Sequence, residues 1–278
     1  VWFNSYSPAP NASGSPSGLA NDVIGSFSAN GAVKAFASNA NSGGYIYGFV
    51  AQNGKLWFGD QGGNIGSIDA SGNETLDTNF TGANCGPSTT CGIVSQMAAA
   101  PDGRYVWFTD ADYNNSVGYT GSIDTQTGAI QEFNIGTLDG AVRPNGPAPY
   151  GIAVSGSYAY VTDDRNPIVD QISIAAGIAT SATTATLPDN ADAVALTPDG
   201  DLWVGDFSGN LNRFIPTNFN TAGMLTFQTT MTGAPLFLVA GPDMLFTVDG
   251  ASDDNVYEFF DLPPASSSAA PSTGAIPA

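Results

Sequence analysis

Short apolar segments alternate with polar turns along most of the chain, and no stretch carries a sustained helical period. Runs of about 4–8 apolar residues bounded by Gly, Pro, Asn and Asp predict strands joined by tight turns. One segment recurs: LWFGD (56–60), VWFTD (106–110), AYVTD (159–163), LWVGD (202–206) and LFTVD (245–249). Its central aromatics are Trp57, Trp107, Tyr160, Trp203 and Phe246, spaced 50, 53, 43 and 43 residues apart. An apolar strand precedes each copy, often through a turn such as PDG (101–103 and 198–200). A second strand follows each copy after a Gly/Asn/Asp turn, as in NIGSID and NLNRF. A fourth is clearest in TGAIQEFNI.

Each unit is therefore predicted to be a four-stranded antiparallel sheet, and the period is that of a β-propeller blade. A lone sheet of this kind has two uncovered faces. Radial packing buries both, with the central aromatics as blade-core residues. The opening VWFN reads as a sixth copy of the second strand, with Trp2 in the aromatic slot. The expectation is an all-β single propeller over 1–262, with six blades near 1–37, 44–80, 93–136, 148–187, 192–229 and 234–262. In this reading the first blade lacks its innermost strand and the last its outermost.

Residues 263–278 form a Pro/Ser/Ala-rich tail with an apolar stub. The spacer ahead of the stub can extend about 35 Å. It is expected to bring Gly274, Ala275 and Ile276 beside Val1, Trp2 and Phe3, either in the same molecule or in a neighbour. The second case is strand exchange and makes a polymer.

Composition narrows the chemistry. Six Lys+Arg against 25 Asp+Glu give a net charge of −19, which excludes phosphate-backbone recognition by basic clusters and so nucleic acid as a partner. No apolar run is long enough for a membrane-spanning helix. Cys85 and Cys91, in CGPSTTC, flank a Gly-Pro turn. They are expected to form a local disulfide, which together with scarce Lys and a start that reads as processed places the protein outside the cell or on its surface. The chain contains no His, so Ser-His-Asp and Cys-His arrangements are excluded.

Asp110, Asp112 and Asn114, in DADYNN, share the spacing that opens many calcium loops, although Asn115 and Gly121 stand where an EF-hand has Gly and Glu. They are the candidate ligands should calcium or magnesium bind; otherwise no cofactor is expected. The acids closing the repeated strand (Asp60, Asp110, Asp163, Asp206, Asp249) are expected to cap the turns that follow. GGYIYGF (43–49) reads as an innermost strand with Tyr45, Tyr47 and Phe49 on its buried face.

The motifs PDGRYVWFTD (101–110), GSIDTQTGAIQEF (121–133), APYGIAV (148–154) and TPDGDLWVGD (197–206) resemble the virginiamycin B (streptogramin B) lyase-like β-propellers. The resemblance implies the propeller fold. It also implies a lyase site with a catalytic His, a Glu and bound magnesium, and this chain has no His to fill that role. The expected function is a non-enzymatic, secreted structural subunit of an extracellular filament or surface assembly, homo-oligomeric or polymeric. The alternatives are a secreted ligand- or glycan-binding propeller, and a lyase-like or hydrolytic enzyme using a divalent cation.

Overall fold

The computed structural model describes residues 2–5, 23–27, 33–37, 46–60, 63–77, 92–229, 231, 233–241, 244–249, 256–260 and 272–276. Among them are five four-stranded antiparallel sheets and one three-stranded sheet. The three-stranded sheet holds β1 (Trp2–Ser5), β2 (Val23–Phe27) and β3 (Val33–Ala37). The second sheet holds β4 (Ile46–Gln52), β5 (Lys55–Asp60), β6 (Ile65–Asp69) and β7 (Glu74–Asp77). The third holds β8 (Ile93–Ala99), β9 (Tyr105–Asp112), β10 (Val117–Asp124) and β11 (Ile130–Asn134). The fourth holds β12 (Pro149–Val154), β13 (Tyr158–Asp163), β14 (Ile168–Ala175) and β15 (Ile178–Thr186). The fifth holds β16 (Ala191–Leu196), β17 (Leu202–Asp206), β18 (Asn210–Phe214) and β19 (Leu225–Gln228). The last holds β20 (Pro235–Ala240), β21 (Met244–Asp249), β22 (Val256–Phe260) and β23 (Ser272–Ile276).

The first strands of successive four-stranded sheets, β4, β8, β12, β16 and β20, pack each against the next. That radial order makes the chain a single β-propeller with five four-stranded blades, not six. The segment read as a first blade supplies three strands in the order β1-β2-β3. Ile24 joins it to the second sheet through a cluster with Ile46, Leu56, Phe58 and Ile68.

The tail reading is also corrected. β23 pairs antiparallel with β22, setting Gly274 opposite Glu258, Ala275 opposite Tyr257 and Ile276 opposite Val256. It is the outermost strand of the last blade, so that blade is complete and extends past residue 262. Trp2 and Phe3 pair with Ser26 and Gly25 instead. Val1, Cys85 and Cys91 lie outside the described residues.

Between neighbouring sheets lie separate apolar cores. Trp57 packs with Val94, Val106 and Phe108, Trp107 with Ile152 and Val161, Tyr160 with Val194 and Leu202, and Trp203 with Leu238 and Leu245. The repeated aromatic thus fills the seam toward the following blade, which is why it recurs once per period. Phe246 departs from this pattern: it is half-buried, while its neighbour Leu245 is fully buried.

A short helix that the strand pattern did not reveal, α1 (Ile135–Asp139), follows β11. Asn134 caps it by accepting from the Thr137 N–H at 3.0 Å, and Gly140 ends it at φ 63°.

Candidate functional site

The innermost strands are not regular. Each of the five breaks register with its partner near its start: around Tyr47 in β4, Ser95 and Gln96 in β8, Tyr150 and Gly151 in β12, Asp192 in β16 and Leu236 in β20. Such bulges re-aim side chains, and here they recur at one level around the axis.

Two threonines of the repeated strand fix this level. Thr109 Oγ1 accepts from the Gln96 N–H (3.2 Å) of its own blade and donates to the Tyr150 carbonyl (2.6 Å) of the next. Thr162 Oγ1 accepts from the Gly151 N–H (2.9 Å) and donates to the Asp192 carbonyl (3.2 Å). Each hydroxyl thus joins its own bulge to the following one. LWFGD and LWVGD carry glycine at that position for a steric reason. A Cβ on Gly59 would lie 2.1 Å from Val94 Cγ1, and one on Gly205 2.6 Å from Pro235 Cγ.

The bulges gather a polar mouth. The Tyr113 hydroxyl donates to Asp164 Oδ2 at 2.7 Å, while the Arg165 guanidinium lies 4.4 Å from the Tyr113 ring centroid. Asp192 is 8% exposed, yet its Oδ1 has no hydrogen-bond partner. Asp164 Oδ1 and Gln96 Nε2 are likewise buried without partners. Burial, and then the nearby Asp164 charge, push the Asp192 carboxyl up to about 7. Asp164 is also raised, chiefly by burial and against the opposing bond from Tyr113. Tyr150 is pushed up to about 12 by burial, then by Asp192 and Tyr47. Tyr47 stands 37% exposed at its bulge while Ile46 is buried, which corrects the expectation that Tyr47 lies on the buried face.

The acids at the strand ends do different work. Asp60 accepts from the backbone and side chain of Asn64 (2.8 and 2.7 Å). Asp163 accepts from the Arg165 and Asn166 N–H groups (both 3.0 Å), and Asp206 from those of Ser208 and Asn210 (both 3.1 Å). These are Asx-type turn contacts.

In the third sheet β9 runs two residues further, so Asp112 takes over the turn. It accepts from the N–H groups of Asn114 and Asn115 (both 3.0 Å) and from Asn115 Nδ2 (2.6 Å). Asp110 is left buried against Gly92, where any Cβ would meet its Oδ1 at 1.7 Å. Burial and then Glu132 raise its pKa well above the usual carboxylate range. Among the described residues no group of three His, Cys, Asp or Glu side chains is placed to hold a metal ion.

A second charged cluster escaped the sequence reading. Arg143, with a side chain 2% exposed, forms ion pairs with Asp139 (2.6 Å), Asp163 (3.1 Å) and Asp170 (2.6 Å). The Thr184 hydroxyl donates to Asp170 at 2.9 Å. The cluster ties α1 to β13, β14 and β15 and is fully enclosed, so it holds the fold and offers no surface to a ligand. Its one legible signal was a lone Arg in GAVRPNG, in a chain with six Lys+Arg.

No protein-family model matches the chain, and none of the curated proteins matches it in sequence. Solved structures match its fold. A chain of a mitotic checkpoint complex superposes with a TM-score of 0.66 at 14% identity, over 93% of this chain and 72% of that one. A chain of a nidogen/laminin complex gives 0.60 at 15% identity, over 86% of each. A putative 6-phosphogluconolactonase from Bacteroides uniformis gives 0.62 at 16%, over 93% of this chain and 77% of that one. At such identities the likeness shows the propeller fold alone. Of the virginiamycin B lyase-like resemblance, the propeller fold is shown and the family itself is not.

Proposed function

We propose that the chain is a non-catalytic binding propeller that recognises a polyhydroxylated ligand, a glycan, at the axial mouth. The observation that carries this reading is the set of buried, unpartnered polar atoms there: Asp192 Oδ1, Asp164 Oδ1 and Gln96 Nε2. Leaving such groups without partners costs about 1–3 kcal/mol each, and a ligand that supplies partners recovers that cost. Two of the atoms accept and one donates. A sugar hydroxyl does both, whereas an amine satisfies only the carboxylates. Tyr47, Tyr113 and Tyr150 add ring faces suited to the C–H side of a pyranose. Retention on immobilised neutral polysaccharides tests the reading. D192N and Y150F are expected to weaken retention at least about 10-fold, and retention unchanged in both variants refutes the reading.

A second reading keeps the protein as a structural subunit of an extracellular filament or surface assembly, exported and self-associating. What favours it is β1, which pairs with β2 along one edge and has no second strand partner among the described residues. In this reading that edge takes a strand from a second copy. Sedimentation velocity with negative-stain microscopy at high concentration tests it, and a monomer throughout refutes it.

A further inference from the structure

The repeat provides an internal comparison at each blade seam. In the third and fifth sheets the core Trp carries a Phe from the outermost strand. Phe133 lies 6.1 Å from Trp107 with planes at 29°, and Phe227 lies 5.6 Å from Trp203 at 32°. Both Phe residues occupy one register position, opposite Thr120 in β10 and Leu211 in β18. In the fourth sheet that position is Ala185, and Phe219 from the next connection packs against Tyr160 instead, with centroids 5.9 Å apart and planes at 53°.

The second sheet differs. Its register puts Asp77 at the same position, opposite Ile65, and among the described residues no ring stacks on Trp57. A cavity of about 380 Å³ lies there, between this sheet and the β10–β11 hairpin. Trp57, Lys55, Ser67, Thr75, Thr125 and Thr127 are among its lining residues. Trp57 is 7% exposed, and its indole Nε1 is buried without a hydrogen-bond partner. Lys55 Nζ stands 5.8 Å from the Trp57 ring centroid and joins no ion pair among the described residues.

We propose that this seam cavity binds small aryl carboxylates, a phenyl ring joined to a carboxylate. The ring takes the place that Phe133 and Phe227 fill in the sister blades. The carboxylate accepts from the Lys55 ammonium and from the indole N–H, so the site favours an anion over an amine. The volume lies in the range of small-molecule sites. The site is separate from the axial mouth and stands whether or not the mouth binds a glycan.

Calorimetric titration of the whole chain with phenylacetate and 3-phenylpropionate tests the proposal, with acetate and phenethylamine as controls. Saturable binding with a Kd below about 1 mM is expected for the aryl carboxylates, a realistic strength for about ten heavy atoms. K55Q is expected to weaken it at least about 10-fold while leaving the thermal melt unchanged. D192N is expected to leave it intact. The proposal is overturned by the absence of saturable binding up to about 10 mM in the folded protein. Equal affinity for phenethylamine, or K55Q binding at wild-type strength, overturns it as well.

Discussion

Replacing Asp192 by Asn removes a charge that the fold holds at a cost. The carboxyl sits in β16 with 8% exposure, no partner for Oδ1 and Asp164 nearby. Its pKa is pushed from the ordinary value near 3.9 up to about 7. The folded state therefore holds this proton more tightly than the unfolded chain does. Stability from this group is full below about pH 4 and is lost as pH rises through 7. Three pKa units at 1.36 kcal/mol each give about 4 kcal/mol lost above pH 7. With an unfolding entropy near 2.1 cal/mol/K per residue over 278 residues, that is roughly 7 °C. D192N keeps the side-chain shape without the charge. It is expected to melt several degrees above the wild type at pH 8.5, and with little difference at pH 4.5. Calorimetric melts at both pH values measure this. Equal melting temperatures at pH 8.5 refute the claim that Asp192 is buried without compensation. The gain in stability is expected to accompany the loss of polysaccharide retention, the trade found where a site is held unsatisfied for its ligand.

Other changes follow from the same geometry. R143M leaves Asp139, Asp163 and Asp170 enclosed without their cation, and is expected to cost about 3–5 kcal/mol in denaturant titration. T162V removes the hydroxyl that joins the Gly151 N–H to the Asp192 carbonyl, and is expected to cost about 1–3 kcal/mol and to weaken retention at the mouth. G205A drives a methyl into Pro235 and is expected to cost about 1–3 kcal/mol, whereas G103A, at φ 71° with open space around it, is expected to cost less because only its turn is strained. Removing residues 263–278 deletes β23 and exposes β22 as an edge, so increased aggregation on heating is expected by light scattering.

The blade was legible because its signal repeats. Trp57, Trp107, Tyr160 and Trp203 had to be buried once per period, and the turns between strands are written in Gly, Asn and Asp. The strand count at the ends was harder to read. The sequence of β1 matches a second strand, but a match says nothing of which strands pair beside it. For β23, STGAI offers as good an edge for β1 as for β22. The pairing with β22 was decided by proximity within one blade, which a sequence scan does not weigh. The helix α1 was missed because five residues are too few to show a 3.6-residue period.

The candidate site was illegible for a more specific reason. A period-2 reading assumes regular strands, and each innermost strand abandons that period at a bulge. Tyr47 therefore turns outward just where alternation would bury it, and Asp192, set among Ala residues in ADAVAL, looks like an interruption in a core strand. Yet the position one residue before the strand-end acids carries the clue. It is Thr in the two blades that pass a hydrogen bond to the next bulge, and Gly in two where the next inner strand presses too close for any side chain. That choice of Thr or Gly sets how each bulge meets its neighbour. It places Tyr150 and Asp192, the two carbonyls the threonines hold, side by side. The unsatisfied carboxylate of Asp192 and the ring of Tyr150 are thus positioned by backbone contacts that do not involve their own side chains. Replacing either side chain is accordingly expected to alter binding while leaving the blade seams intact.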